Sequence, residues 1–361
     1  MKKIVTVIGA RPQFIKAAVL SRIIKENGAV EEVIIHTGQH FDTNMSKIFF
    51  DEMMIPEPTY NLEINSMSHA AMTGQMMEKI EKVLEIEKPD ALIVYGDTNS
   101  TIAGALAAKK MNIKVVHIEA GLRSFNMKMP EEINRILTDR ISDLLSCPSK
   151  GAINNLHNEG FQNLPVLIEN HGDIMKDAVN YYSQFSANKS SIIKDQKLQK
   201  NEFVLATIHR QENTDDEKKL RSIFLGLEEI HKTHPVVLPI HPRTKEVLNT
   251  LSIHPKIQMI EPVGYYDMLE LLKNCSMVIT DSGGLQKEAF FNKKQCIVVR
   301  DETEWVELVT NGFAKVVGSN TKMILQTFHT YKDLKNDFSI DLYGTNVGEK
   351  IYQSISQLIH S

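Results

Sequence analysis

Residues 277–289 read MVITDSGGLQKEA, and this stretch decides the fold class because Ser-Gly-Gly joins a short apolar run to a helical pattern. Gly283 and Gly284 let backbone N–H groups approach an anion closely, and the dipole of the following helix favours negative charge. Ser282 opens that helix, and Glu288 lies about one turn into it, where a carboxylate can accept two ribose hydroxyls. The segment therefore predicts a strand–turn–helix unit that binds the diphosphate of a nucleotide.

The same alternation of apolar runs and amphipathic patterns extends through the chain in two series. Short β-branched runs that are apolar on both faces, separated by helical stretches, predict parallel sheets. A chain of 361 residues is longer than one hydrophobic core usually organises. The two series therefore predict two α/β domains, with a hinge near residues 169–173. The runs are KIVTVIG (3–9), EEVIIHTG (31–38), ALIVYGD (91–97) and KVVHIEA (114–120), then EFVLATIH (202–209), PVVLPIH (235–241), IQMIEPV (257–263), MVITDSG (277–283) and QCIVVRD (295–301).

Composition narrows the class of protein. Hydrophobic residues make up 42% and charged residues 24% of the chain, and the formal net charge is −4, so we expect neither a nucleic-acid nor a membrane partner. Three scattered cysteines fit reduced thiols in the cytoplasm, and the absence of CxxC and HExxH predicts no metal site.

Three carboxylates stand where strands end or helices begin in the first series. Asp97 closes ALIVYGD, Glu119 ends the next strand, and Glu131 opens a helix one turn before Arg135. Helix capping and the helix dipole can account for acids at such places. However, parallel strands end at a common sheet edge, and carboxylates gathered there can acquire separated pKa values, so that one serves as acid and another as base. We therefore predict an acid–base site.

Basic residues follow the first strand of each series. Arg11 and Lys16 lie in GARPQFIK (9–16), and His209 and Arg210 lie in HRQEN (209–213). Cations at a strand-to-helix turn suit a phosphate group, because the helix N-terminus presents N–H donors there. His241, after PVVLPI, fits a structural turn as well as it fits a phosphate ligand.

The only tryptophan, Trp305, stands among charged residues in RDETEWVE (300–307). A single Trp in such surroundings is unlike a core residue, and the alternative interpretation is a lid over the edge of a domain.

Taken in order, these motifs resemble the non-hydrolysing UDP-N-acetylglucosamine 2-epimerases over roughly residues 1–310. That family has a GT-B fold, with two Rossmann-like domains of parallel sheet, a cleft between them, and a C-terminal helix returning to the first domain. The resemblance implies an N-terminal domain at 1–170, a C-terminal domain at 171–340 and the returning helix at 341–361. The motifs are GARPQFIK, TGQH (37–40), GDTNST (96–101), HIEAGLRS (117–124), PEEINR (130–135), HRQEN, DSGGLQKEA (281–289) and RDETEWVE.

The resemblance also implies the reaction. UDP is eliminated across C1–C2, which leaves a 2-acetamidoglycal, and UDP adds back as C2 is reprotonated on the opposite face. No nicotinamide or metal is required, and homodimers are expected. The family's catalytic carboxylates match Asp97, Glu119 and Glu131, its diphosphate and substrate contacts match Arg11, Lys16, Arg135, His209, Ser282 and Gly283, and its ribose acid matches Glu288. From the residues themselves we add His209 to the predicted catalytic set, and Arg123, Arg210, His241 and Gly284 to the predicted substrate- and UDP-binding set.

One departure indicates a sub-branch. Most relatives carry Arg-Pro where this chain has Trp305-Val306, and TEWVE resembles the branch acting on UDP-2,3-diacetamido-2,3-dideoxy-D-glucuronate for bacterial surface polysaccharide, including O-antigen. The sugar carboxylate would need a cationic partner, for which Arg123, Lys128 and His40 are candidates.

Three further departures are local. Phe41-Asp42 stands where allosterically regulated relatives carry Arg-Glu, so activation by a second UDP-sugar is not expected. The hinge (residues 170–173) lacks the common Gly-Asn pair, and residues 343–348 lack the usual Gly- and Ala-rich tail.

Alternative activities share most of the motifs. They are epimerisation of UDP-N-acetylglucosamine, a hydrolysing 2-epimerase that releases UDP, a GT-B glycosyltransferase, and a non-catalytic nucleotide-sugar sensor. The acidic trio argues against the glycosyltransferase, because it is arranged for proton transfer on the donor sugar, and five or more charged groups at strand ends argue against the sensor.

Overall fold

The computed structural model describes residues 1–39 and 55–360, and these form two compact units. The first unit comprises Met1–Ala178 together with Asp341–Ser361, and the second comprises Val179–Ile340. The chain passes from the first to the second within the helix Ile174–Lys189.

The first unit is built on a parallel sheet, as the sequence predicts. Within the described residues the strand order is β3-β2-β1-β4-β5-β6-β7, so the chain begins in the middle and winds outward in both directions. The strands are β1 Lys2–Ile8, β2 Val30–His36, β3 Tyr60–Asn61, β4 Ala91–Tyr95, β5 Lys114–Ile118, β6 Leu144–Cys147 and β7 Leu167–Asn170.

The central strands are apolar on both faces because helices cover both sides. Val5, Val7, Leu92, Val94 and Val115 are buried in one core cluster on the sheet. The helices of this unit are α1 Arg11–Asn27, α2 His69–Glu87, α3 Asn99–Lys110, α4 Pro130–Ile141, α5 Lys150–Asn158 and the start of α6 Ile174–Lys189.

The C-terminal segment completes the first unit. Helix α15, Val347–His360, packs on α1, and Gly348 approaches so closely that a Cβ there would lie 2.6 Å from Ile23 Cδ1. The segments that depart from the family pattern also meet, because Asp173 N donates to the Tyr343 carbonyl at 2.9 Å. Gly172, at φ +98°, leaves no room for a side chain beside that carbonyl.

The second unit repeats the parallel α/β design. Its strand order is β10-β9-β8-β11-β12-β13, and its core lies between the sheet and the flanking helices. The strands are β8 Val204–Thr207, β9 Val236–Pro239, β10 Gln258–Ile260, β11 Met277–Thr280, β12 Gln295–Val298 and β13 Ala314–Val316. The helices are α7 Ile192–Asp195, α8 Gln211–Thr214, α9 Glu217–His231, α10 Pro242–Thr250, α11 Tyr265–Asn274, α12 Gly283–Phe291, α13 Val306–Thr310 and α14 Thr321–Tyr331.

The prediction of an α/β fold with two parallel sheets is confirmed. Among residues 1–39 and 55–360, no helix combines the length and apolar character that crossing a membrane requires.

Candidate functional site

The carboxyl ends of β4 and β5 place two acidic residues at one edge of the first sheet. Tyr95 and Ile118 are paired in register; Asp97 follows Tyr95 after one glycine, and Glu119 follows Ile118 directly. Glu119 has a left-handed backbone at φ +69°, which is unfavourable for a residue with a side chain. Its N–H is held by the Ser146 carbonyl at 3.1 Å. Strain of this kind concentrates at functional sites, which fits the predicted role of Glu119.

Glu119 is paired with a lysine from α1. Lys16 Nζ lies 2.7 Å from Glu119 Oε1, and both side chains are largely buried. The pair stands beside the turn that follows β4, because a Cβ on Gly96 would lie 3.5 Å from Glu119 Oε1 and 3.8 Å from Lys16 Nζ. Lys16, predicted to bind substrate, thus lies in the acid cluster.

Arg135 holds the second carboxylate. Its Nη2 pairs with Asp97 Oδ2, and its Nη1 lies 3.0 Å from Glu132 Oε2. Glu132 is fully buried and also accepts hydrogen bonds from the N–H groups of Ser124 and Phe125 at 2.9 and 2.8 Å. The guanidinium therefore links the Asp97 turn to the first turn of α4.

The two adjacent acids at the start of α4 have different environments. Glu131, the predicted catalytic residue, is half-buried in the first turn, and its role stays a prediction. Glu132 is the residue that packs inward and binds Arg135. Sequence reasoning missed it because neighbouring residues of a first turn differ only in helix phase, which the cap and the following loop fix.

Gln13 is a second residue that sequence reasoning missed. It is buried, and its Oε1 accepts from the N–H groups of Gly9 and Ala10 at 2.8 and 3.0 Å. Its Nε2 donates to the Tyr95 carbonyl at 2.8 Å and to Thr98 Oγ1 at 3.0 Å. Gln13 thus ties the turn after β1 to the turn after β4.

The candidate partners of a sugar carboxylate differ in burial and in surroundings. Arg123 is buried, and its guanidinium pairs with Asp139 and Glu159, each at 2.7 Å, so binding a substrate would require these pairs to break. Lys128 is exposed on the loop before α4. His40 and the Phe41-Asp42 pair lie outside the described residues. Arg11 is half-buried at the first position of α1, and its substrate role stays a prediction.

In the second unit, one buried carboxylate organises the strand ends. Asp281, after β11, accepts from the backbone N–H groups of His209 at 3.0 Å and Arg210 at 3.0 Å and from Asn213 Nδ2 at 3.1 Å. Asn213 also donates to the Val299 carbonyl at 3.0 Å. Asp281 therefore fixes the loop that carries the two predicted phosphate ligands, although sequence reasoning assigned it no role.

Two histidines are stacked beside this loop. The rings of His209 and His241 lie 5.6 Å apart at 29°. Burial lowers the pKa of His209, the Asp281 carboxylate opposes that shift, and the Arg210 cation adds to it. His241 caps α10, because its Nδ1 accepts from the Arg243 N–H at 3.2 Å. His241 thus caps this helix and presents its ring to His209, and its role as a phosphate ligand stays a prediction.

Helix α12 begins at the glycine pair. Ser282 is its N-cap, and a Cβ on Gly283 would lie 3.9 Å from Arg210 Nη2, while Gly284 faces open space. Glu288 follows one turn later and is buried. Glycine backbone, a helix N-terminus and an arginine at one place form an anion-binding arrangement.

The interpretation of Trp305 as unlike a core residue is wrong. Trp305 is 3% exposed, and its ring is covered by the Lys287 ammonium at 4.0 Å from the ring centroid. Arg300 and Glu304 form a buried two-bonded pair at 2.9 and 3.0 Å, and Thr303 Oγ1 donates to Gln286 Oε1 on α12 at 2.7 Å. Two of the charges that suggested a surface loop are therefore neutralised inside the unit, while Asp301 is exposed.

These features define an α/β protein with two parallel sheets in a GT-B-like arrangement of elements, one unit carrying paired carboxylates and the other an anion cradle. The model of the UDP-N-acetylglucosamine 2-epimerase family matches residues 22–356, and the chain belongs to that family of isomerases.

Individual relatives agree with this assignment. The UDP-2,3-diacetamido-2,3-dideoxy-D-glucuronate 2-epimerase of Pseudomonas aeruginosa is 53% identical over 91% of this chain and 92% of its own length. A UDP-N-acetylglucosamine 2-epimerase homolog of Methanococcus maripaludis is 46% identical over 99% and 100%. The crystal structure of Methanocaldococcus jannaschii UDP-GlcNAc 2-epimerase, in complex with UDP-GlcNAc and UDP, matches with a TM-score of 0.92 at 39% identity, covering 99% and 100%.

Proposed function

We propose that the protein inverts C2 of UDP-2,3-diacetamido-2,3-dideoxy-D-glucuronate, converting the gluco to the manno epimer. A base removes the C2 proton while the C1–O bond to UDP breaks, and its electron pair leaves with the diphosphate. The resulting C1=C2 double bond is attacked at C1 by the diphosphate oxygen, and an acid protonates C2 on the opposite face. Atoms and charge balance without a cofactor.

The observation that carries this proposal is that two carboxylates at one sheet edge are each paired with a different cation. Glu119 has Lys16 as its cation, and Asp97 has Arg135. A two-face proton transfer needs two such groups, because one must hold a proton while the other is ionised. Glu131 stands on the same helix as Arg135, four residues before it, and we assign it to this acid–base set.

We assign recognition of UDP to the C-terminal domain, residues 171–340. We assign the proton transfers to the N-terminal domain, residues 1–170, to which the helix of residues 341–361 returns. Backbone N–H groups at Ser282–Gly284 and the Arg210 guanidinium suit the diphosphate, and Glu288 suits the ribose. Desolvation lowers the pKa of His209 and favours the neutral imidazole, which can donate one hydrogen bond to the leaving diphosphate.

The choice of sugar rests on the P. aeruginosa relative, which has the highest identity of the proteins compared above. The alternative substrate is UDP-N-acetylglucosamine, supported by the M. jannaschii enzyme and its bound UDP-GlcNAc. We further propose a cytoplasmic homodimer that serves synthesis of a bacterial surface polysaccharide such as O-antigen.

Proton NMR in deuterated buffer tests the proposal, with each UDP-sugar in a separate tube. We expect a new manno anomeric signal, deuterium at C2 and intact sugar nucleotide with the diacetamido-glucuronate. The same change with UDP-N-acetylglucosamine alone would assign the alternative substrate. Free sugar and UDP would contradict epimerisation without hydrolysis.

A matched pair of variants tests the role of the carboxylates. Asp97→Asn removes the base or acid, and we expect a loss of kcat of about 100-fold or more. Asp90→Asn is the control, because Asp90 precedes β4 at the other end of the strand and pairs with Lys2 at 2.8 Å. Full turnover by Asp97→Asn would remove the carboxylate from the mechanism.

A further inference from the structure

His117 is a buried polar residue in strand β5, between Val116 and Ile118. Its side chain has no exposed surface, and both ring nitrogens are hydrogen-bonded. Nδ1 lies 2.7 Å from Asp139 Oδ1, and Nε2 lies 2.7 Å from the carbonyl oxygen of Gly96. Gly96 immediately precedes Asp97, so the imidazole lies directly behind the turn that carries a proposed catalytic carboxylate.

The partners determine which atoms donate. A backbone carbonyl can only accept, so Nε2 carries the hydrogen of that bond. Burial alone would raise the pKa of Asp139, but the interactions with His117 and Arg123 outweigh burial and place that pKa below its ordinary value. The bond between Asp139 and Nδ1 holds the other side of the ring, so that the ring is fixed with Nε2 facing the Gly96 carbonyl.

The Asp139 carboxylate also accepts hydrogen bonds from neighbouring segments. Asp139 Oδ2 accepts from the Gly121 N–H at 3.2 Å and from Arg123 Nη1 at 2.7 Å. Asp139 lies on α4, one turn after Arg135, whose guanidinium binds Asp97. The His117–Asp139 couple thus connects the turn after β4, the turn after β5 and the helix that carries the Asp97 partner.

The turn at Gly96 is held by one hydrogen bond at its N–H and one at its carbonyl, and His117 makes the second. The Gly96 N–H donates to the Ile118 carbonyl at 2.9 Å, and the Gly96 carbonyl accepts from His117. Gly96 has a left-handed backbone at φ +61° and lies in a turn, outside any helix or strand. The direction of the peptide between Gly96 and Asp97 is therefore fixed by these hydrogen bonds. The direction of that peptide sets the direction of the Asp97 side chain.

We propose that His117 is a positioning residue for the epimerase reaction, which orients the Gly96–Asp97 peptide through its Nε2–H while Asp139 holds the ring. The inference rests on the proposed function, since it assigns Asp97 a proton transfer. His117 itself touches no reacting atom. A displacement of a catalytic group by ~1 Å can cost about 100-fold in rate, which is the scale of the effect expected here.

Two conservative variants separate positioning from general stability. His117→Gln can place an amide N–H near the Nε2 position and keep the bond to Gly96, whereas His117→Asn can place its amide N–H near the Nδ1 position and keep only the bond to Asp139. We expect His117→Asn to lower kcat by about 100-fold at nearly unchanged KM. We expect His117→Gln to retain kcat within about tenfold.

UDP affinity, measured by calorimetry on each full-length variant, reports on folding of the second unit, and thermal unfolding reports on the whole chain. Equal losses of kcat in both variants, or wild-type kcat in both, would overturn the proposal. A wild-type enzyme without epimerase activity would instead contradict the proposed function.

A measurement independent of turnover keeps the two failures distinguishable. The protein is labelled with ¹⁵N in histidine, and the ring signals of His117 are assigned by their absence from His117→Gln. We expect a directly bonded hydrogen on Nε2. A ring in which Nε2 carries no hydrogen would overturn the assignment of His117 as donor to Gly96, whatever the enzyme's activity.

Discussion

Lys16 Nζ lies 2.7 Å from Glu119 Oε1, and it reaches that carboxylate from a different element, the first helix of the chain. The Lys16 side chain is 6% exposed and that of Glu119 12%, so water screens the pair only weakly. A charge-assisted hydrogen bond in this setting holds Glu119 in one orientation beside Gly96. The lysine predicted to meet the substrate thus also aligns a predicted catalytic group.

Replacing this lysine should impair both folding and catalysis. Lys16→Met removes the ammonium that pairs with the largely buried Glu119 carboxylate, and such a loss costs about 3 kcal/mol of the free energy of unfolding. We expect kcat to fall at least tenfold, measured by NMR of C2 inversion, with lower stability in urea. Lys25→Met, at an exposed position in the last turn of the same helix, is the control. Wild-type kcat in Lys16→Met would contradict the role of the pair.

Arg135 should not be replaceable by lysine. Its two terminal nitrogens bind two different carboxylates, Asp97 and Glu132, and a single ammonium cannot reproduce that geometry. We expect Arg135→Lys to lower kcat about 100-fold, since Asp97 loses its fixed partner. Arg140→Lys, exposed near the end of the same helix, should keep wild-type kcat in the same steady-state assay. A similar decline in both variants would indicate damage to α4 alone.

The glycine at the start of α12 should be sensitive to a single methyl group. A Cβ on Gly283 meets no atom closer than 3.6 Å, so Gly283→Ala should fold normally. The methyl group would lie 3.9 Å from Arg210 Nη2, a group that we propose binds the diphosphate, and we expect UDP to bind about tenfold more weakly, about 1.4 kcal/mol, by calorimetry.

Gly74→Ala provides the matched control for that substitution. Gly74 lies within helix α2 with open space around it, so the change should raise helix stability slightly and leave UDP affinity unaltered. Undiminished UDP affinity in Gly283→Ala would argue against the anion cradle.

Acid should weaken the first unit through His171. Its ring is buried and bonds Ser146 Oγ at 2.9 Å and Ser354 Oγ on α15 at 3.0 Å. Burial lowers the pKa of His171, and the neighbouring Glu169 carboxylate opposes the shift only in part. The unfolded chain therefore takes up a proton first, so the stability that neutral His171 provides is present above about pH 6.5 and is lost as the pH falls further.

Urea unfolding at pH 7.5 and pH 5.5 measures this effect. We expect the free energy of unfolding to be lower at pH 5.5, and the decrease to be smaller in His171→Asn, which cannot titrate. His157→Asn, on the exposed surface of α5, should show the wild-type decrease. A His171→Asn decrease equal to that of the wild type would exclude this histidine as a cause.

Much of the fold could be predicted because strand periodicity and turn residues are local properties. The run ALIVYGD and the segment DSGGLQKEA each form the strand and helix start that their residues favour. The motifs that identified the family are likewise short stretches of consecutive residues.

What could not be predicted depends on partners far apart in the sequence. The contact of His117 with Gly96 and Asp139 requires strand register and helix phase, and Trp305 becomes a core residue only because Lys287 covers its ring. Burial of a histidine in an apolar strand was nevertheless a signal, since such a residue requires hydrogen-bonding partners.

Because α15 belongs to the first unit, the second unit is an insertion between the two parts of the first. During synthesis, residues 179–340 emerge and can fold before α1 receives the helix that covers Val19 and Ile23. The first unit therefore remains incomplete until residues 347–360 leave the ribosome. A nascent chain stalled before that point would carry a complete second unit and a first unit with an open apolar flank.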